Sequence, residues 1–159
     1  MKKQNKVLNL ITHPNPILRK VSVLIDIKKI DKKMQELVAN MIQTMISDKG
    51  IGLAAPQIGK NIRLIIVNYR DKPFALINPV IVKFFGAKVS GEEGCLSIPH
   101  VFGDVLRYRN VDCEYFDLRG NKQCLNAKGL LARVIQHEID HLDGILFIDK
   151  MIKDNSNIK

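Results

Sequence analysis

The chain has 159 residues, 46% of them hydrophobic, which is enough for one domain with a real core and too short for two comfortable ones. A formal charge of +9 admits a nucleic-acid or membrane-surface partner, but the basic residues are scattered in twos, so solubility and weak steering account for them. Three cysteines with no C-x-x-C pair argue against a disulfide framework and fit a reducing compartment.

Met1, Lys2 and Lys3 open the chain, and the apolar stretch at 7–11 is short, broken by Asn9 and followed by no small-residue cleavage site. No apolar run approaches membrane-spanning length, which predicts a cytoplasmic protein with no membrane partner. Residues 12–16 read as an irregular opening around Pro14 and Pro16. An N-terminal amphipathic helix is expected over 31–47, where Met34, Leu37, Val38, Met41, Ile42 and Met45 recur at helical spacing. Asp31 suits its N-cap and Gly50 its stop, and the methionines read as core rather than as a binding groove. In the following Gly50-Ile51-Gly52-Leu53-Ala54-Ala55-Pro56-Gln57, the glycines taken alone read as helix stop and turn, and Gln57 as a polar loop residue.

Strands are expected over 63–69, 74–85 and 105–116, with a turn at 117–122. Between the last two lies Glu93-Gly94-Cys95-Leu96-Ser97, where Gly91 and Gly94 mark an irregular backbone able to approach another element closely. His13 and His100 sit in loops beside prolines and read as exposed. A second helix should begin near 126–129 and stop at Gly144. Strands flanked by separate helices predict an α+β fold, antiparallel β-sheets packed around that central second helix. One domain over 1–159 is expected, with 150–159 as a flexible tail.

The second helix carries Gln136-His137-Glu138-Ile139-Asp140-His141, an H-E-x-x-H motif. Histidines at i and i+4 share a helical face, so two imidazoles can reach one ion while Glu138 faces its water as proton acceptor. Leu130, Val134, His137, His141 and the neighbouring stripe Leu131, Ile135, Leu142 make the helix apolar around much of its circumference, so these histidines are expected to be buried and in need of partners. A third ligand downstream is poorly supplied: the position six beyond His141 is Phe147, no Glu follows Glu138, and Asp143, Asp149 and Asp154 sit in a turn or near the end. Upstream, Cys95 is the foremost candidate, as thiolate ligand or as buried inert thiol. Cys113 alternates inward in a strand, and Cys124 reads as the start of a strand or loop.

Segments 50–57, 93–97 and 136–141 resemble, in order and spacing, the three signature motifs of the peptide deformylases, and the similarity runs from about residue 11 to 149. The resemblance implies a metal-dependent hydrolase that removes the formyl group from N-terminal formyl-methionine of nascent polypeptides and releases formate. It implies Cys95, His137 and His141 as ligands of one divalent ion. The resemblance also implies Fe²⁺ as the usual active ion, with Zn²⁺, Ni²⁺ or Co²⁺ as alternatives in purified protein. Glu138 would serve as general base and then acid, and the Gln57 amide and Leu96 backbone N–H would stabilise charge on the formyl oxygen. Ile51, Gly52, Glu93, Gly94, Leu130 and Val134 would line the substrate cleft, with Gly52 permitting backbone pairing to an extended peptide. A monomer is expected, with transient ribosome contact and no direct nucleic-acid binding.

Two departures from the family pattern bear on contacts beyond methionine. Many members carry Arg seven residues after the ligand Cys and Pro before the residue matching Arg107; this chain has Phe102 and Leu106. It also ends soon after Asp149, without the long basic C-terminal helix by which some members dock on ribosomes. A general zinc peptidase would use H-E-x-x-H equally well but gives no purpose to 93–97 or Gln57. A basic nucleic-acid binder would show salt-dependent binding indifferent to Glu138, and 6% aromatics without Trp disfavour stacking.

Overall fold

The computed structural model of the chain describes residues 5–153. Leu64–Tyr69 (β2) opens with four consecutive apolar residues, a run that needs cover on both faces. Ile65 and Val67 enter one core cluster, while Leu64 and Ile66 enter another. The strand before it, Gly52–Ala54 (β1), divides the same way, Ala54 to the first cluster and Leu53 to the second. Helices cover the two faces. Leu130–Leu142 (α2) gives Leu131, Ala132, Val134, Ile135, Ile139 and Leu142 to the first cluster. Lys32–Ser47 (α1) gives Val38, Met41 and Met45 to the second, with Met34, Leu37 and Ile42 packed beside them. Asp31 caps α1, its Oδ1 accepting the Met34 N–H at 2.9 Å.

The remaining strands are Lys72–Cys95 (β3), Ile98–Phe116 (β4) and Lys122–Lys128 (β5), and all five form one antiparallel sheet in the order β1-β2-β3-β4-β5. The architecture is α+β. One sheet replaces the several expected, because β3 is long enough to pair with β2 at its start and with β4 along most of its length. β3 and β4 extend well beyond 74–85 and 105–116. Residues 82–84 and 86–90 are exposed, so no apolar alternation announces a strand there; the ladder to β4 supplies what periodicity does not.

β5 occupies residues read as the end of a turn, a strand or loop start at Cys124, and a helix start. Its period-2 signal is only Leu125 and Ala127, which face Cys113 and Val111. Gly129, at φ 58°, then turns the chain from β5 into α2, so the helix starts at Leu130 rather than at 126–129. At the other end Gly144 has φ 72°, and a Cβ there would lie 2.5 Å from the Arg19 carbonyl oxygen; the helix stops where only glycine fits.

The expected tail from residue 150 is partly tied down. Lys150 Nζ donates to Asp140 Oδ1 at 2.8 Å, Met151 bridges Val105, and the Ile152 N–H donates to the Asp104 carbonyl at 2.8 Å. Residues 154–159 of that tail, and the Met1-Lys2-Lys3 opening, lie outside the described residues. No described helix is long and apolar enough to cross a membrane.

Candidate metal centre

α2 is docked on the sheet by its own polar side chains. Gln136 accepts from the Tyr108 N–H at 3.1 Å and donates to the Tyr108 carbonyl at 2.8 Å, completing the β4 backbone as another strand would. This sets the rotation of the helix and aims His137 and His141 at the turn joining β3 to β4. Cys95 ends β3 at a register shift beside Gly94, and its Sγ lies 3.2 Å from His141 Nε2. One donor atom from each of Cys95, His137 and His141 falls within 4.8 Å of the others. The His137 and His141 rings meet edge-on at 5.0 Å, and Phe147 stacks on the His137 ring at 6.1 Å. His13 and His100 are exposed and stand outside the donor group.

His137 is oriented from behind by Glu93, whose Oε2 accepts from Nδ1 at 2.9 Å. Burial opposes the Glu93 charge, but hydrogen bonds from His137 and Arg107 outweigh it and hold the carboxyl at about 2. A carboxylate accepting at Nδ1 puts the proton there and leaves Nε2 as the donor for an ion. Burial opposes the His137 imidazolium while hydrogen bonds to Cys95 and Glu93 favour it, so without an ion the ring holds a second proton that must leave Nε2 before that nitrogen can be a ligand. His141 goes the other way: complete burial, then the positive charge of His137 and Arg107, keeps it neutral, and its Nδ1 has no hydrogen-bond partner.

Glu93 belongs to a wider network. Arg107 holds both its oxygens, Nε to Oε1 at 2.9 Å and Nη2 to Oε2 at 3.0 Å, and turns its third nitrogen, Nη1, to Asp140 Oδ2. Arg133 on α2 adds a bond to Glu93 Oε1 at 2.8 Å and ties down the Val89, Gly91 and Val105 carbonyls. Gly91 therefore sits in regular register opposite Val105, not in irregular backbone; its missing side chain makes room for the Arg133 guanidinium. Sequence reasoning gave Arg107, Arg133 and Asp140 no role. The sequence offered no clear signal, since Arg107 and Arg109 share one parity of β4 yet only Arg107 is buried, and burial is what marks it as a charge that must find a partner.

Glu138 is buried at 4% exposure, with Oε2 unpartnered and its pKa pushed up to about 7, mainly by burial. A Cβ on Gly52 would lie 2.3 Å from Glu138 Oε1, so Gly52 leaves the space the carboxylate occupies. Gln57 is likewise buried and aimed. Its Oε1 accepts the Ala54 N–H at 2.8 Å, which turns Nε2 toward Cys95 Sγ at 3.5 Å and Ser97 Oγ at 3.1 Å. A thiol, two imidazoles with one tautomer set by a carboxylate, and a buried unpartnered carboxylate beside them fit a divalent cation.

A family model described as Polypeptide deformylase matches residues 7–157. The chain belongs to the polypeptide deformylase family. Among similar proteins, the peptide deformylase of Dictyoglomus thermophilum is 47% identical over 128 residues, covering 80% of this chain and 83% of that protein. A peptide deformylase from Synechococcus elongatus, solved in complex with actinonin, has TM-score 0.89 and 42% identity over 96% of this chain and 83% of that one. The Thermotoga maritima peptide deformylase structure has TM-score 0.90 and 34% identity, covering 94% and 100%.

In this deformylase-family chain the donor group opens onto a cleft of about 490 Å³. Ile51, Gly52, Gln57, Glu93, Gly94, Cys95, Leu96, Leu130, Val134, His137 and Glu138 all line it, while His141 lies behind at 1% exposure. Gly52 is not in a turn: it starts β1, paired with Val67 on one side, at the edge of the sheet. Glu93 lines the cleft with its acceptor positions committed to Arg107, Arg133 and His137. Of the two departures from the family pattern, Phe102 lines the cleft, whereas Leu106 pairs with Ser90 outside it. Cys113 is fully buried with its thiol pushed up to about 12 by burial, and Cys124 is exposed.

Proposed function

We propose that this chain hydrolyses the N-terminal formyl group of newly made formyl-methionyl polypeptides and releases formate, as one catalytic domain acting as a monomer in the cytoplasm. The observation that carries the reading is the convergence, in one cleft of a deformylase-family chain, of the Cys95–His137–His141 donors with the unpartnered Glu138 carboxylate. Cys95 Sγ, His137 Nε2 and a His141 ring nitrogen would hold one divalent ion, and the family resemblance favours Fe²⁺. Such an ion supplies Lewis acidity, polarising a carbonyl and lowering the pKa of water.

Glu138 Oε2 takes the proton of the attacking water and returns it to the leaving amine nitrogen, which explains an acceptor kept buried and free of other partners. The Gln57 Nε2–H and the Leu96 backbone N–H stabilise the charge that develops on the formyl oxygen. Ile51, Leu130 and Val134 provide apolar wall for the methionine side chain, and the free edge of β1 at Gly52 accepts an extended peptide backbone. Glu93, held by Arg107 and Arg133, keeps His137 in one tautomer.

The test is formate release from formyl-Met peptides by protein purified anaerobically, with metal analysis of the same sample. Cys95→Ser should lose metal and activity together, while Cys113→Ser and Cys124→Ser keep both. Equal metal in all three variants would move the third ligand elsewhere, and cleavage of internal bonds in unformylated peptides would turn the reading toward a zinc peptidase.

A further inference from the structure

Four exposed large apolar side chains, Ile51, Val101, Phe102 and Leu130, line the cleft that holds the donor group. Phe102 and Leu130 are the most open of the four, at 65% and 64% exposure. Ile51 and Leu130 belong to the methionine wall proposed above, which leaves Val101 and Phe102 as exposed apolar surface that methionine does not claim and that marks a place where something apolar is received. Phe102 is also held in place: it pairs with Gly94 across β3 and β4, and a Cβ on Gly94 would lie 2.7 Å from its ring Cε1. The ring thus rests on bare backbone one residue before Cys95, with most of its surface open.

The charges around it are either committed or opposed. Arg133 spends its guanidinium on three carbonyls and Glu93, and Glu93 is itself saturated. Lys49 and Glu92 remain on the rim with opposite signs, and His100 is exposed beside them. No single sign of charge dominates, so apolar area is what differs most from water for an incoming side chain. An extended peptide advances about 3.3 Å per residue. Gly94 adjoins Cys95 and Phe102 lines the same cleft, so a substrate whose formyl group sits at the donors passes the Gly94–Phe102 pair within its first few residues.

We infer that the cleft selects substrates with a large apolar side chain in the first two positions after methionine, and that Phe102 is the residue that sets this preference. The inference rests on the deformylase reading above. A ring contact of this kind is worth about three- to tenfold in kcat/KM.

The test is kcat/KM for two series, formyl-Met-X-Ser and formyl-Met-Ala-X, with X as Phe, Leu, Ala or Glu, using the full chain with its metal. Phe and Leu should exceed Ala by about three- to tenfold in at least one series. Phe102→Ala should collapse that ratio, Phe102→Leu should keep most of it, and Phe102→Arg should shift preference toward Glu in a manner that fades with salt. A wild-type panel flat within about twofold in both series overturns the inference whatever the variants do. So does a ratio unchanged in Phe102→Ala, or, where that variant fails to fold, a ratio unchanged in Phe102→Arg. Failure to release formate from any formyl-Met peptide overturns the deformylase reading instead, and this inference with it.

Discussion

Two carboxylates reach the same helix at the same depth, Glu93 at 5% exposure and Glu138 at 4%, yet their surroundings are opposite. Glu93 accepts from Arg107, Arg133 and His137, and the network continues through Asp140 to Lys150. Glu138 has an oxygen that nothing satisfies, in a space kept open by Gly52. Their pKa shifts follow: Glu93 is drawn down to about 2 by its donors, Glu138 is pushed up to about 7 by burial. Fully satisfied buried polar networks rigidify, and the few unsatisfied groups in a native structure mark where chemistry is expected. The first carboxylate is bound into a frame, and the second keeps the free oxygen that the proposed proton transfer would use.

The largest expected effect removes the free carboxylate. Glu138→Gln should lower kcat by about 10²- to 10⁴-fold with metal content and folding unchanged. Near-wild-type turnover in metal-replete mutant protein would place the proton acceptor elsewhere. Next is the frame. Arg107→Met takes the shared partner from two buried carboxylates, leaving Glu93 with Arg133 and His137 and Asp140 with Lys150, and should cost about 3 kcal/mol in urea unfolding. A loss under about 1 kcal/mol would show that the network contributes little to stability and would weaken the contrast drawn here.

Gln57 borders both clusters, being oriented by the backbone yet aimed at the donors. Gln57→Leu should lower kcat by about 10²- to 10³-fold with a smaller change in KM; a pure KM effect would make it an ordinary substrate contact. The smallest effect lies in the exposed Arg19–Asp149 pair. Asp149 is held below its usual pKa, first by the Arg19 hydrogen bond, against a smaller burial penalty. A lowered folded pKa gives stability that is present above the unfolded value near 3.9 and lost as pH falls through the folded one. At these exposures Asp149→Asn should cost only about 0–1 kcal/mol near neutral pH. The gap between the variants should close on acidification, and a gap that widens would reverse the sign assigned to the pair.

Legibility followed locality. α1 could be read with its Asp31 cap because its apolar face repeats within a few turns, and α2 because its stripes and H-E-x-x-H lie on contiguous residues. β5 was legible only as a strand or loop start at Cys124, and the long middle of β3 was missed, because those residues are polar or exposed and are held by ladders to a distant strand. The same limit hid the role of Arg107, whose partners lie 14 and 33 positions away.

The spacing of His137 and His141, the flanking apolar stripes and the alternation around Cys113 were determined by the sequence itself, since each is a repeat of 3.6 or 2 that backbone geometry turns directly into a face. Tertiary structure alone decided that Cys95 meets those histidines, that Glu93 on the cleft wall is tied to His137, Arg107 and Arg133, and that Phe102 stands on the cleft while Leu106 does not. Those outcomes depend on the register of β3 against β4 and on the rotation of α2 set by Gln136. Long-range pairing of that kind leaves no periodic trace along the chain.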